Sequence, residues 1–251
     1  MTRNVLGLHC SLASGAVFAA LRGVLPEVLF HCPDLPGHGT SGGWDELQDF
    51  QTQALDLAME AAPNGRFDVL GHSFGGCLAL RLLADHPERV RSLVLIEPVK
   101  FAAADAAELE DHWLEMTRFD VAMARGDHVK AARMFMEVWG DGTNFDDLSD
   151  LQRAYVIDRI PLIPAMAPSI TEDIHDVLNR LPAGRPPTLI VARRDPPEIV
   201  RSICEGLQRH MPQARQARTG SGHMIPLTDT GDLAQVVRDF WRDAAAMDDA
   251  E

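Results

Sequence analysis

The stretch Val69-Leu70-Gly71-His72-Ser73-Phe74-Gly75-Gly76 carries the sharpest chemical signal in the chain. It sets a serine in the pattern G-x-S-x-G between an apolar run (66–71) that reads as a strand and a segment (74–85) that reads as a helix. That context predicts a tight turn. Small residues at 71 and 75 let strand and helix approach, and Ser73 stands exposed at the helix start. The helix N-terminus favours negative charge, and the Phe74 N–H can point at a developing oxyanion. Ser73 is a weak nucleophile without a base. Of ten histidines, His223 in Gly220-Ser221-Gly222-His223 is the one placed in a glycine-rich loop after the last expected strand. A carboxylate should orient it. Asp195 follows the fifth expected strand in Ala192-Arg193-Arg194-Asp195-Pro196-Pro197, and the rival acid is Glu97 at the end of the fourth. We prefer Asp195, although Asp before Pro is also a good helix start.

These residues need a frame that brings strand ends together. Residues 4–9, 27–32, 66–71, 91–97, 188–192 and, more weakly, 214–219 read as strands. Segments 13–25, 74–85, 198–210 and 229–243 read as helices, and a stripe of Leu47, Phe50, Ala54, Leu57, Ala58 and Ala61 gives another. Runs such as Leu93-Val94-Leu95-Ile96 do not alternate, which suits strands covered on both faces. The repeated order predicts an α/β fold with a doubly wound, mainly parallel sheet of about six strands.

The rhythm breaks near Pro98. Up to Thr188 the chain has helical period only, with Trp113, Met116, Phe119 and Met123, then Ala131, Phe135, Val138 and Trp139. Residues 100–179 hold 16 acidic and 7 basic side chains, a net charge of −9 out of −14 for the whole chain. An acidic helical insertion therefore interrupts the sheet after its fourth strand. Arg193 and Arg194 beside Asp195 read as solvated surface.

In its motifs and their order the chain resembles the α/β-hydrolase superfamily, in its small capped esterase and lactonase branch, over nearly its whole length. Leu8-His9-Cys10-Ser11 stands where that family has a His-Gly oxyanion loop. Asp34-Leu35-Pro36-Gly37-His38-Gly39-Thr40-Ser41 matches its D-x-P-G-x-G-x-S loop, and the order Ser73, Asp195, His223 is the family's. The resemblance implies a core of residues 1–98 and 180–251 with a helical cap at 99–179. It implies a triad of Ser73, Asp195 and His223, with oxyanion donors on the backbone of Ser11 and Phe74. The implied activity is a serine hydrolase cleaving a small carboxylic ester, thioester or lactone through an acyl-enzyme. Carbon–carbon bond hydrolysis, cofactor-free haloperoxidation and ligand binding without turnover are the alternatives on the same scaffold. Two departures stand out. Cys10 replaces the usual glycine, and the chain begins directly at the strand before the oxyanion loop.

Composition narrows the partners. The excess of acid disfavours nucleic acid and anionic membranes, and no apolar run is long enough to span a bilayer. Cys10, Cys32, Cys77 and Cys204 are far apart with no CxxC pair, so free thiols in a cytoplasmic setting are expected. Neither Cys10 nor Cys77 reads as a nucleophile, since Ser73 holds the turn. No metal or cofactor is expected, as H-E-x-x-H, spaced Cys/His sets and a phosphate-binding loop are missing. The expected partner is a small-molecule substrate, and the expected state a monomer or homodimer.

Overall fold

A computed structural model describes residues 2–184 and 186–248. Met1, Arg185 and residues 249–251, which the expected core includes, lie outside the described residues. The chain opens with β1 (Arg3–Leu8), a 3-10 turn at Gly15–Phe18, α1 (Ala19–Val24) and β2 (Val28–His31). It continues through α2 (Phe50–Ala61), β3 (Phe67–His72), α3 (Phe74–Asp85) and β4 (Val90–Ile96). After a wholly helical passage come β5 (Thr188–Ala192), and further on β6 (Arg215–Arg218). The sheet order is β2-β1-β3-β4-β5-β6 with every pair parallel.

The apolar runs do what their lack of alternation implies. Along β4, Leu93 and Leu95 enter one buried cluster while Val94 and Ile96 enter the other. Side chains alternate across a strand, so two apolar clusters on opposite faces are the direct consequence. The α2 and α3 side chains fill the first cluster with Phe50, Ala54, Leu78 and Leu82, and Phe18 and Leu21 fill the second. At the amino ends of the strands, buried Asp68 accepts from Arg3 Nη1 (2.8 Å) and Ser92 Oγ (2.6 Å) and pairs with Arg91.

The strand order reverses between β1 and β3, and the crevice at such a reversal lies at the carboxyl ends of the strands. There β1 runs into His9-Cys10-Ser11 and β3 into Ser73. One helix differs from its expected extent. Asp49 accepts from the Thr52 N–H and starts α2 at Phe50, which leaves Leu47 outside the stripe and 94% exposed. The N-cap aspartate overrides the apolar spacing.

Between β4 and β5 lie α4 (Ala106–Ala124), α5 (His128–Trp139), α6 (Asp150–Arg159), α7 (Leu162–Ala167) and α8 (Val177–Arg180). This insertion has an apolar cluster of its own, with Phe119, Ala131, Phe145, Val156 and Ile160. Trp113 and Val138 fall outside it, at 38% and 44% exposure. Fully buried Lys100 fastens the insertion's start to its end. Its Nζ donates to the Ser169 carbonyl and to Asp173 Oδ1, both at 2.5 Å. The fold closes with α9 (Glu198–His210), α10 (Ile225–Thr228) and α11 (Thr230–Asp248). No helix among the described residues is long and apolar enough to cross a membrane.

The backbones of α3 and β1 approach closely at Gly75, where a Cβ would lie 2.0 Å from the Leu8 carbonyl oxygen and 2.7 Å from that of His9. Gly75→Ala should therefore lower stability by about 1–3 kcal/mol in urea unfolding. An unchanged midpoint would mean that α3 and β1 are not held as tightly as described.

Candidate active site

Ser73 sits between β3 and α3 with φ 56° and ψ −118°, a sparsely populated region for a residue with a side chain. Its surroundings fix that conformation. The Ser73 N–H donates to the Ile96 carbonyl and the Ser73 carbonyl accepts from the Gly76 N–H, both at 2.9 Å. Gly71 is obligatory here, because a Cβ would lie 2.3 Å from the Gly75 carbonyl oxygen. Phe74 opens α3, and its N–H makes no hydrogen bond within the described residues. The same holds for the Ser11 N–H at the end of β1. Two unengaged donors thus sit in the loops on either side of the strand reversal.

The carboxylate on His223 is that of Glu97, not Asp195. His223 Nδ1 lies 3.2 Å from Glu97 Oε2, and both side chains are buried. Glu97 follows β4 with φ 45°. Its Oε1 accepts from the Arg193 N–H (2.6 Å), and its Oε2 accepts from Arg193 Nε (2.9 Å) and Nη2 (2.7 Å). Burial pushes the Glu97 carboxyl up, yet the bonds from His223 and Arg193 outweigh it and hold it below its ordinary value. Asp195 is exposed and bonded to no described residue. The register explains the exchange. Ile96 pairs with Val191, so Glu97 and Arg193 leave adjacent strands almost level. Arg193 is thereby buried at 8% exposure rather than solvated, while Arg194 is exposed and pairs with Asp232 at 2.7 Å. An acid and a base closing two neighbouring apolar strands was the available signal.

His223 is held from a second side. His72 Nε2 donates to the His223 carbonyl (2.9 Å), and the two rings stand 5.1 Å apart. Trp139, from the end of α5, meets the His223 ring edge-to-face at 4.9 Å. Burial lowers the His223 pKa and the Glu97 contact only partly offsets this, so the imidazole is neutral at neutral pH.

Two more buried histidines shape the Ser11 loop. His9 Nδ1 donates to the Cys10 carbonyl (2.8 Å), and its Nε2 accepts from the Leu35 N–H (2.9 Å). His38 Nδ1 donates to the Pro36 carbonyl (2.9 Å), and its Nε2 accepts from the Leu12 N–H (3.1 Å). These bonds tie the β1 loop to the 34–41 loop, and each requires a neutral ring. Cys10 is buried with its thiol pushed up to about 12, as is Cys77, so neither is a thiolate.

Ser73 and Ser11 line a cavity of about 230 Å³ whose walls come mainly from the insertion, with Phe101, Trp113, Phe119, Trp139 and Ile170 among them. A seryl oxygen with two free backbone N–H groups nearby, facing an apolar cavity, is suited to attack on a carbonyl.

The sequence profile described as the alpha/beta hydrolase fold matches residues 4–230. The lipase LipV of Mycobacterium tuberculosis is 30% identical over 249 residues, covering 94% of this chain and 92% of the lipase. A pimeloyl-[acyl-carrier protein] methyl ester esterase of Nitrosomonas europaea is 28% identical, covering 82% of this chain and 81% of its own. Among solved structures, an esterase from Exiguobacterium antarcticum superposes with a TM-score of 0.72 at 16% identity, over 95% of this chain and 91% of that one.

The buried histidines make stability depend on acid. Burial, with neighbouring rings adding to it, lowers His9 and His72 to about 3, and burial with the nearby Arg159 charge lowers His38 to about 4. Once unfolded, all three bind protons below about pH 6.5. Stability is therefore full above that pH and is lost as pH falls from 6.5 towards 3. Urea unfolding at pH 7.5 and pH 5 should show the loss, with at least about three protons taken up on unfolding at pH 5. Equal midpoints would mean that the three rings are not buried neutral.

Proposed function

The chain belongs to the α/β-hydrolase fold family, and on that premise we propose that it is a serine esterase for small apolar carboxylic esters, with Ser73 as nucleophile, His223 as base and Glu97 as the orienting acid. The observation that carries this reading is the buried His223–Glu97 contact beside a strained Ser73 that faces an apolar cavity. The names of its relatives, a lipase and a methyl ester esterase, agree with it.

His223 Nε2 takes the Ser73 hydroxyl proton as Oγ attacks the ester carbon. The Phe74 and Ser11 N–H groups receive the carbonyl oxygen as it becomes an oxyanion. Glu97 keeps the proton of His223 on Nδ1 and stabilises the imidazolium. That imidazolium gives its proton to the departing alkoxide, leaving an acyl-Ser73. Water then surrenders a proton to His223 and attacks the acyl carbon. The proton returns to Ser73 Oγ, and the carboxylic acid leaves. Ser73 Oγ makes no hydrogen bond with the described residues, and such bonds commonly tighten only in the substrate complex. Arg193 holds Glu97 ionised and fixed, and the insertion serves as a cap. With a net charge of −9 on residues 100–179 and an apolar interior, this cap favours uncharged substrates.

Ser73→Ala should lower kcat/KM for p-nitrophenyl butyrate by about a thousandfold or more. Equal rates would remove Ser73 from its role. Glu97→Gln should cost about a hundredfold or more and move the acid limb of the kcat/KM profile to lower pH, because Glu97 raises the His223 pKa. Asp195→Asn should leave rate and profile unchanged. The reverse result would restore Asp195 as the triad acid.

A further inference from the structure

A second cavity, of about 500 Å³, lies against the first. Both are lined by Ser11, Phe135 and Trp139, so the two α5 aromatics form a wall between them and Ser11 marks the passage. Ser73 borders the smaller chamber, and Met224, the residue after His223, borders the larger. Trp139, the shared wall, is also the residue that meets the His223 ring.

We infer that the wall of Phe135 and Trp139 divides the site into an acyl chamber on Ser73 and an alcohol chamber on the His223 side, so that the substrate is an ester of a short to medium apolar acid with an apolar alcohol of several carbons. This rests on the serine esterase reading. The sidedness follows from proton transfer: the departing alkoxide takes its proton from His223, so the alcohol lies on that residue's side, and the acyl group stays on Ser73. At about 30 Å³ for a group the size of water, the smaller chamber holds roughly eight such groups. A methyl alcohol would leave most of the larger chamber unfilled.

The chemistry of the larger chamber selects an apolar occupant. Its lining includes Val17, Leu148, Val156 and Leu227 and contains no Arg or Lys. Its polar side chains are largely engaged already. Tyr155 Oη donates to the Ala13 carbonyl and accepts from the Gly39 N–H. Gln152 Oε1 accepts from the Ser149 N–H in the cap of α6. A phosphate or carboxylate would meet no cation there, since the charged side chain of this lining is the acid Asp141. Leu151 and Leu227 stand at 83% and 47% exposure, so the chamber opens to solvent where a longer alcohol chain could emerge.

The test uses the full chain and two ester series, methyl esters of acetic to octanoic acid and butyrate esters of methanol to octanol, followed by titration of released acid. Exposed Ala16 lines only the larger chamber and half-buried Ala167 only the smaller. The wild type should hydrolyse octyl butyrate with a higher kcat/KM than methyl butyrate. Ala16→Trp should lower the octyl-to-methyl ratio about tenfold or more with the acyl-length order unchanged. Ala167→Trp should lower the octanoate-to-acetate ratio similarly, with the alcohol-length order unchanged. Leu151→Trp and Thr171→Phe repeat the two arms should either first variant fail to fold. Crossed effects, no change in either ratio, or a wild-type preference for methyl butyrate would overturn the division while leaving the esterase reading intact. A wild type that hydrolyses none of the esters and is not labelled on Ser73 by a fluorophosphonate would overturn the esterase reading and this inference with it.

Discussion

The site depends on one buried carboxylate. Glu97 has no exposed surface, and a charge so placed is stable only when hydrogen-bonded and paired. Three N–H groups of Arg193 and one of His223 meet it. That cluster joins the ends of β4 and β5 to the loop after β6. It also accounts for the positive φ of Glu97, a conformation that costs energy and persists where the surroundings over-determine it. The Glu97 N–H completes the restraint by donating to the Val191 carbonyl at 2.8 Å.

A second set of restraints uses neutral rings instead of charge. His9, His38 and His72 each bond the backbone of a different loop, and their burial keeps them uncharged at neutral pH. A neutral imidazole donates at one nitrogen and accepts at the other, so His9 and His38 each satisfy one carbonyl and one N–H. The loops bearing Ser11 and His223 are thus positioned by side chains from neighbouring loops, while the strained Ser73 is positioned by backbone bonds from β4 and by the close packing of Gly71 and Gly75.

The insertion separates its two chemistries by burial. Its acids, such as Asp111, Glu115, Asp141 and Asp147, lie on the outside. Several of its aromatic and sulfur-bearing side chains, among them Phe101, Met116, Phe119 and Trp139, line the Ser73 cavity, where Ser11 Oγ lies 3.1 Å from Met166 Sδ. The Lys100 contacts with Ser169 and Asp173 close the base of this structure. An apolar interior under an acidic shell follows from the same helices, with helical period deciding which face each residue occupies.

The sequence by itself determined the parallel sheet, the turn at Ser73, the loop that holds His223 and the place of the insertion. Each is a local property: a run of apolar residues, a glycine spacing, a break in rhythm. What only the tertiary structure decided was which carboxylate meets His223. Asp195 and Glu97 both follow buried strands, and nothing within either segment distinguishes them. The register between β4 and β5 does, because it sets Arg193 level with Glu97 and leaves Asp195 two residues further out, at the surface. The same holds for Trp139, which helical period assigns to the insertion's interior. Its contact with His223 arises from how α5 crosses a loop more than eighty residues away in the chain. Pairings between distant segments are fixed by packing and register, and those quantities are absent from any single stretch of sequence.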